Sequence, residues 1–141
     1  MIRRAEPQDL REVLALLHDS ALPTEGVAEH FETFFVVDDG TRVVACAGLE
    51  LHGGASLVRS LAVAMDMRGI GIGAGVLRRA LHEARDSNAG VYALTTTAEA
   101  YLARFGFERV PRGLLPQALF ESRELKDACP ASATVMQWRQ R

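Results

Sequence analysis

Apolar positions along the chain change their period several times, and the order of those changes predicts the architecture. Residues 1–5 read as a short strand, after which Glu6-Pro7-Gln8-Asp9 forms a helix start with proline in the first turn. Leu10, Val13, Leu14 and Leu17 then recur at helical spacing, which predicts an amphipathic helix ending near His18-Asp19-Ser20. Leu22-Pro23-Thr24-Glu25-Gly26 breaks the period, and a second short helix is expected from about Val27 to Phe31. Phe34 to Val37 is aromatic and β-branched, Asp38-Asp39-Gly40 is a tight-turn signal, and Arg42 to Leu51 is again strand-like, so the pair reads as a β-hairpin. His52-Gly53-Gly54 turns the chain into a third strand, Ser56 to Met65, completing an antiparallel meander. Simple alternation puts Leu57, Arg59, Leu61 and Val63 on one face of it, an arginine among three apolar neighbours.

Beyond Gly73 the period becomes helical again. Val76, Leu77, Ala80, Leu81 and Ala84 mark a helix that stops near Ser87-Asn88-Ala89-Gly90. Val91 to Thr95 reads as a strand, Ala98 to Arg104 as a short helix and Gly106-Phe107 as the start of an extended stretch. Thr134 to Trp138 follows an irregular segment as a closing strand. The order predicts an α/β (α+β) fold with a mixed, mostly antiparallel twisted sheet flanked by helices. A length of 141 residues suits one domain spanning 1–141.

Composition narrows the function classes. The hydrophobic share of 48% and charged share of 24% are those of an ordinary globular chain, which argues against disorder and against a disulfide scaffold. The formal net charge is −2 and the basic residues are scattered, so nucleic acid is not an expected partner. No apolar run reaches the ~20 residues of a membrane helix, and Met1-Ile2-Arg3-Arg4 leads into acidic and polar residues, which makes a cytoplasmic enzyme the expectation. Cys46 sits in an apolar strand-like run and Cys129 precedes Pro130, with no CxxC pair and no Cys/His cluster at zinc spacing. No metal and no structural disulfide are expected, and Cys46 reads as a small buried hydrophobe.

The chemistry gathers at Arg68-Gly69-Ile70-Gly71-Ile72-Gly73, between a strand and a helix. Backbone N–H groups free at a helix start can point into one concavity there, and the glycines let the backbone approach an anion without a Cβ in the way. The helix dipole and Arg68 add positive charge. A dinucleotide fingerprint requires Gly-x-Gly-x-x-Gly after a parallel strand, whereas these glycines recur every second residue behind an antiparallel meander. No Gly-Lys-Ser/Thr follows, which removes the P-loop reading.

Arg68, Gly71 and Gly73 match Arg/Gln-x-x-Gly-x-Gly/Ala, and in this the chain resembles the GNAT superfamily of N-acetyltransferases. Ile2-Arg3-Arg4-Ala5 with Asp9-Leu10, Leu61-Ala62-Val63 before the glycine turn, and Phe105-Gly106-Phe107 extend the likeness over nearly the whole chain. The resemblance implies a GNAT fold with acetyl-CoA as cosubstrate. The backbone of Leu61, Ala62 and Val63 would pair with the pantetheine arm. Arg68, Gly69, Ile70, Gly71, Ile72, Gly73 and Ala74 would hold the pyrophosphate, with Thr97, Tyr101 and Arg104 completing the cofactor site. Leu94-Thr95-Thr96-Thr97 and Arg59-Ser60-Leu61-Ala62-Val63 look like the branch containing N-acetylglutamate synthase domains. Leu22-Pro23-Thr24-Glu25-Gly26 and Cys129-Pro130-Ala131-Ser132-Ala133 are similar to small acetyltransferases associated with arsenic resistance. Both likenesses imply a small amino-acid-like amine as acceptor, such as a glutamate analogue containing arsenic or phosphorus.

Acetyl transfer needs a neutral amine, stabilisation of the oxyanion and a proton for the departing thiolate. An alkylammonium has a pKa of about 10.4, so a carboxylate or histidine would help to deprotonate it. Glu50, near the end of an apolar strand, and His52, two residues on, are the candidate bases; Glu50 reads equally as a solvated strand-end charge, and His52 reads more as a turn residue than as a base. His18, His30 and His82 read as solvated. Arg59 stands where many superfamily members carry a glutamate base. It is either a clamp for a substrate carboxylate or the partner of an internal carboxylate such as Glu50. Thr24 and Glu25 in the early loop, with Thr95 and Thr96, are the remaining acceptor-site candidates. Many superfamily members protonate the thiolate with a tyrosine four residues before the late glycine, but Leu102 stands there; Tyr101 either touches the cofactor or packs. The rival to an enzyme is a coenzyme A-binding sensor without turnover. The apolar closing strand and Trp138 pack either within the domain or across a homodimer.

Overall fold

Seven strands join into one mixed sheet in the computed structural model, which describes residues 1–128 and 130–139. Four of them, β1 (Ile2–Arg4), β2 (Phe34–Asp38), β3 (Val43–His52) and β4 (Ala55–Val63), pair antiparallel in sequence order. β5 (Val91–Thr95) runs parallel to β4, and β7 (Thr134–Trp138) lies antiparallel between β5 and β6 (Phe107–Arg109). The helices are α1 (Leu10–Asp19), α2 (Ile72–Ala84) and α3 (Glu99–Ala103). Val13 and Leu17 of α1, and Val76, Leu77 and Ala80 of α2, are fully buried, and both helices pack on β3 and β4. The periodic positions of the sequence are therefore the ones that make the core.

Local chemistry fixes the elements. Arg3 grips Asp9 with two hydrogen bonds of 2.7 and 3.0 Å and Asp38 with a third of 2.8 Å, tying the helix entry through β1 to the end of β2. These bonds from Arg3 hold the Asp9 carboxyl below its ordinary range, against the opposing effect of burial. The expected second helix is a 3-10 turn, Ala28–Thr33, which includes a kink at His30. The irregular stretch before β7 folds into the 3-10 turns Arg112–Leu114 and Gln117–Glu121 and a wide turn, Glu124–Ala128. Leu115 and Leu119 from this stretch bury themselves against Leu57, Tyr92 and Val135 in a second small core. Trp138 donates its indole N–H to Phe105 O at 2.9 Å, so its polar edge is satisfied within the chain.

A bulge in β4 positions everything that follows. Cys46 pairs with Ala62 but Gly48 pairs with Arg59, so Ser60 and Leu61 together face Ala47, and Ser60 takes φ +61° to make the extra residue fit. The Cys46 thiol donates to Ser60 O at 3.2 Å, and burial pushes this thiol up to about 12, in keeping with a packing role. The bulge corrects the simple alternation: Leu57 and Arg59 share a face with Ala62, while Val63 lies on the face of Val58. β4 and β5 pair only from Ser56↔Val91 to Val58↔Ala93 among the described residues, and beyond that they diverge.

Gly48 meets the ring of its cross-strand partner Phe34, where a Cβ would lie 2.3 Å from the nearest ring carbon. Gly48→Ala is expected to destabilise the fold by at least about 1–3 kcal/mol through overpacking, read as a lower urea midpoint with an unchanged m value.

Candidate active site

The divergence of β4 from β5 opens a cleft of about 860 Å³ through the sheet. One wall is β4 from Val58 to Val63, the other is β5 from Ala93 to Thr95 with Thr96 and Thr97. Among the described residues, the backbone edge that β4 turns toward β5 has no strand partner past Val58, which leaves main-chain donors and acceptors for a ligand that lies along it.

At the far end of β4 the chain enters the glycine turn. Arg68 donates to Val63 O at 3.0 Å, folding its side chain back against the strand. Gly69 and Gly71 take φ +84° and +87°, and Gly71 is the residue from which α2 starts. A side chain at either position would be strained in this conformation, so glycine is what the turn demands. The free N–H groups of the first turn of α2 are the donors an anion would meet. Arg68, Gly69, Gly71, Gly73 and Ala74 line the cleft. Ile70 and Ile72 do not: Ile70 is exposed and Ile72 packs on the core. A Cβ on Gly73 would stand 3.0 Å from Val63 Cγ2 and 3.4 Å from Tyr101 Oη.

Leu61, Ala62, Val63, Thr97, Tyr101 and Arg104 also line the cleft. Thr95 Oγ1 accepts the Ala98 N–H at 2.8 Å and so shapes the entry to α3. Tyr101 presses its ring on Phe105, with centroids 5.1 Å apart, beneath the Arg104 guanidinium at 5.6 Å. Leu102 is buried and contributes an apolar patch to the cleft wall where a thiolate-protonating tyrosine would otherwise stand.

The candidate bases and acceptor-site residues are arranged differently from the expectation. Glu50 is fully buried and does not line the cleft, nor does His52. Glu50 Oε2 receives Arg59 Nη1 at 2.6 Å, and its Oε1 lies 2.8 Å from His52 Nε2 and 3.5 Å from His30 Nε2. Burial alone would raise the Glu50 carboxyl, but the bonds from His52 and Arg59, with the Arg59 and His30 charges, outweigh it and hold the carboxyl below its ordinary value. Glu50 is thus the internal partner of Arg59. Arg59 is buried as well, with its Nε 2.9 Å from Ser60 Oγ and 3.4 Å from Glu124 Oε2, and its Nη2 3.4 Å from Pro23 O. Thr24 and Glu25 are exposed and outside the cleft, and Glu25 turns back to accept the Thr24 N–H; the neighbouring Leu22 and Pro23 form the wall instead.

Sequence reasoning missed Glu124, a carboxylate of the cleft lining beside Arg59. It missed a second grouping too: linear spacing indicated no metal, yet the fold brings His30, Glu50 and His52 to within 4.8 Å of one another. Cys129 lies outside the described residues. No helix among the described residues is long and apolar enough to cross a membrane.

A family model described as an acetyltransferase (GNAT) domain matches residues 30–109, more than half of the chain. The chain belongs to the GNAT acetyltransferases. The GNAT fold recurs among solved structures: the Mycobacterium tuberculosis protein Rv2747, in complex with CoA and NLQ, aligns with a TM-score of 0.81 at 25% identity, covering 100% of this chain and 99% of that one. N-acetylglutamate synthase from Neisseria gonorrhoeae, complexed with coenzyme A and N-acetyl-glutamate, gives 0.83 at 20% identity; all of this chain is covered but 35% of that one, so it spans about a third of the synthase. A GNAT acetyltransferase from Staphylococcus aureus Mu50 gives 0.75 at 14% identity over 98% of this chain and 97% of that one. No curated protein sequence matched.

For a GNAT cleft of this shape, Gly73→Val places branched carbon between Val63 and Tyr101. It is expected to weaken CoA binding by at least about tenfold, or about 1.4 kcal/mol, in a calorimetric titration, with the fold retained.

Proposed function

We propose that this GNAT enzyme moves the acetyl group of acetyl-CoA to the primary amine of a small amino-acid-like substrate, with glutamate or an arsenic- or phosphorus-containing analogue of it as the acceptor class. The observation that carries the reading is the cleft between β4 and β5, which runs from the glycine turn to an arginine and a carboxylate held 3.4 Å apart. Acetyl-CoA lies along the unpaired edge of β4 with its pyrophosphate on the glycine turn. Its thioester reaches the bulge at Ser60-Leu61, where main-chain N–H groups free of strand pairing stabilise the oxyanion.

An amino acid brings one ammonium and one carboxylate. Arg59 and Glu124 answer them with opposite charges side by side. The carboxylate of the substrate replaces Pro23 O on Arg59 Nη2, the longest of the Arg59 hydrogen bonds, while Glu124 receives the proton of the ammonium directly or through water. The amine nitrogen then attacks the thioester carbon, a C–N bond forms and the C–S bond breaks. With Leu102 in place of a tyrosine, the thiolate takes its proton from water; a thiol pKa of roughly 8.5 makes that step undemanding. Glu50 holds Arg59 in place from behind.

CoA thiol release should be followed with acetyl-CoA against glutamate, its phosphinic and arsinic analogues, polyamines and a lysine peptide. Release confined to amines that carry an acidic group supports the proposal. Release for the peptide or polyamines alone overturns the acceptor class, and CoA binding without release for any amine points to a sensor.

A further inference from the structure

On the side of Glu50 away from the cleft, two imidazoles converge on one carboxylate oxygen. Glu50 and His52 are two apart on β3 and so project from the same face. His30 arrives from the 3-10 turn Ala28–Thr33, which is fastened to β3 by the Thr33 hydroxyl, 2.6 Å from Leu49 O and 3.1 Å from His30 O. The two rings meet edge to face at 60°, with centroids 5.2 Å apart.

One hydrogen bond accounts for His52 Nε2 at 2.8 Å from Glu50 Oε1. It does not account for His30 Nε2, which stands 3.5 Å from the same oxygen. Donors on a tetrahedral ion at about 2.0–2.2 Å lie about 3.3–3.5 Å from one another; His30 Nε2 already stands at that distance from Glu50 Oε1, His52 Nε2 would draw back from 2.8 Å, and the two imidazoles, whose ligand atoms lie within 4.8 Å, would close on the ion by rotating their side chains. We propose that His30 Nε2, Glu50 Oε1 and His52 Nε2 form a three-ligand site for a zinc-class divalent cation, with water in the fourth position.

The surroundings suit that chemistry. Imidazole nitrogens with a carboxylate are a donor set that zinc accepts, and a ligating carboxylate is normally oriented by a further hydrogen bond, here Arg59 Nη1 on Oε2 at 2.6 Å. The His30 side chain is 23% exposed, which gives the ion a way in, while His52 at 10% and Glu50 at 0% are enclosed. The ion would sit across one carboxylate from Arg59 and outside the cleft. None of the three ligands lines the cleft, so the proposal does not rest on the acetyl-transfer reading.

The test is calorimetry with zinc chloride alone on the full chain after chelator treatment and desalting. One equivalent per chain is expected. His30→Ala and His52→Ala should each weaken binding at least about tenfold, the lower end of what loss of even a supporting group costs at a metal site. A His18→Ala/His82→Ala double variant, which removes two exposed imidazoles, should bind as the parent does. Circular dichroism confirms that each variant is folded; should His52→Ala unfold, the partly exposed His30 decides. Absence of zinc binding, equal binding in the His30 variant, or loss confined to the His18/His82 variant each overturns the proposal.

Discussion

Arg59→Met is expected to lower folding stability by about 3–5 kcal/mol, because it leaves the Glu50 carboxylate buried without its guanidinium. For a domain whose whole margin is about 5–15 kcal/mol, that is a large part of the total, and the variant should melt well below the parent. Arg59→Met combined with Glu50→Leu removes both charges and should recover much of the loss, which separates an unpaired charge from lost packing. The effect also has a pH signature. The Glu50 carboxyl is depressed in the folded state, so its contribution is fully present above the unfolded value of about 4.3 and is lost as pH falls through the lower folded value. The gap between parent and single variant should therefore be widest near neutral pH and narrow below about pH 4. Chemical denaturation across that range measures it, and a gap that does not change with pH contradicts the assignment.

Glu124→Gln is expected to lower kcat/KM for the acceptor amine by about 10²–10⁴ while CoA affinity stays as in the parent. The substitution keeps the shape of the side chain beside Arg59 and removes its capacity to take a proton. If thiol release is unchanged, the amine loses its proton to some other group.

Much of this architecture is legible in the residues. The 3.6-residue period of Val76, Leu77, Ala80, Leu81 and Ala84 is the buried face of α2, and Asp38-Asp39-Gly40 makes the β2–β3 turn it signals. The glycine turn follows from conformational need, since Gly69 and Gly71 both take positive φ. What was hidden lies where local sequence carries little physical information. Serine has no special preference for φ +61°, so nothing marks Ser60 as the bulge that moves Arg59 onto the face of Ala62. Glu124 comes from a stretch of short irregular turns with no periodicity to place it. His30 meets Glu50 across a turn and a strand pair, a proximity created by tertiary packing and invisible to any ligand spacing rule.

The most direct measurement is amide hydrogen exchange with and without acetyl-CoA. The account predicts slowed exchange at Ser60–Val63, in the glycine turn and first turn of α2 over residues 69–74, and at the Thr97–Arg104 wall of the cleft. Protection that falls elsewhere, or none at saturating acetyl-CoA, would contradict it.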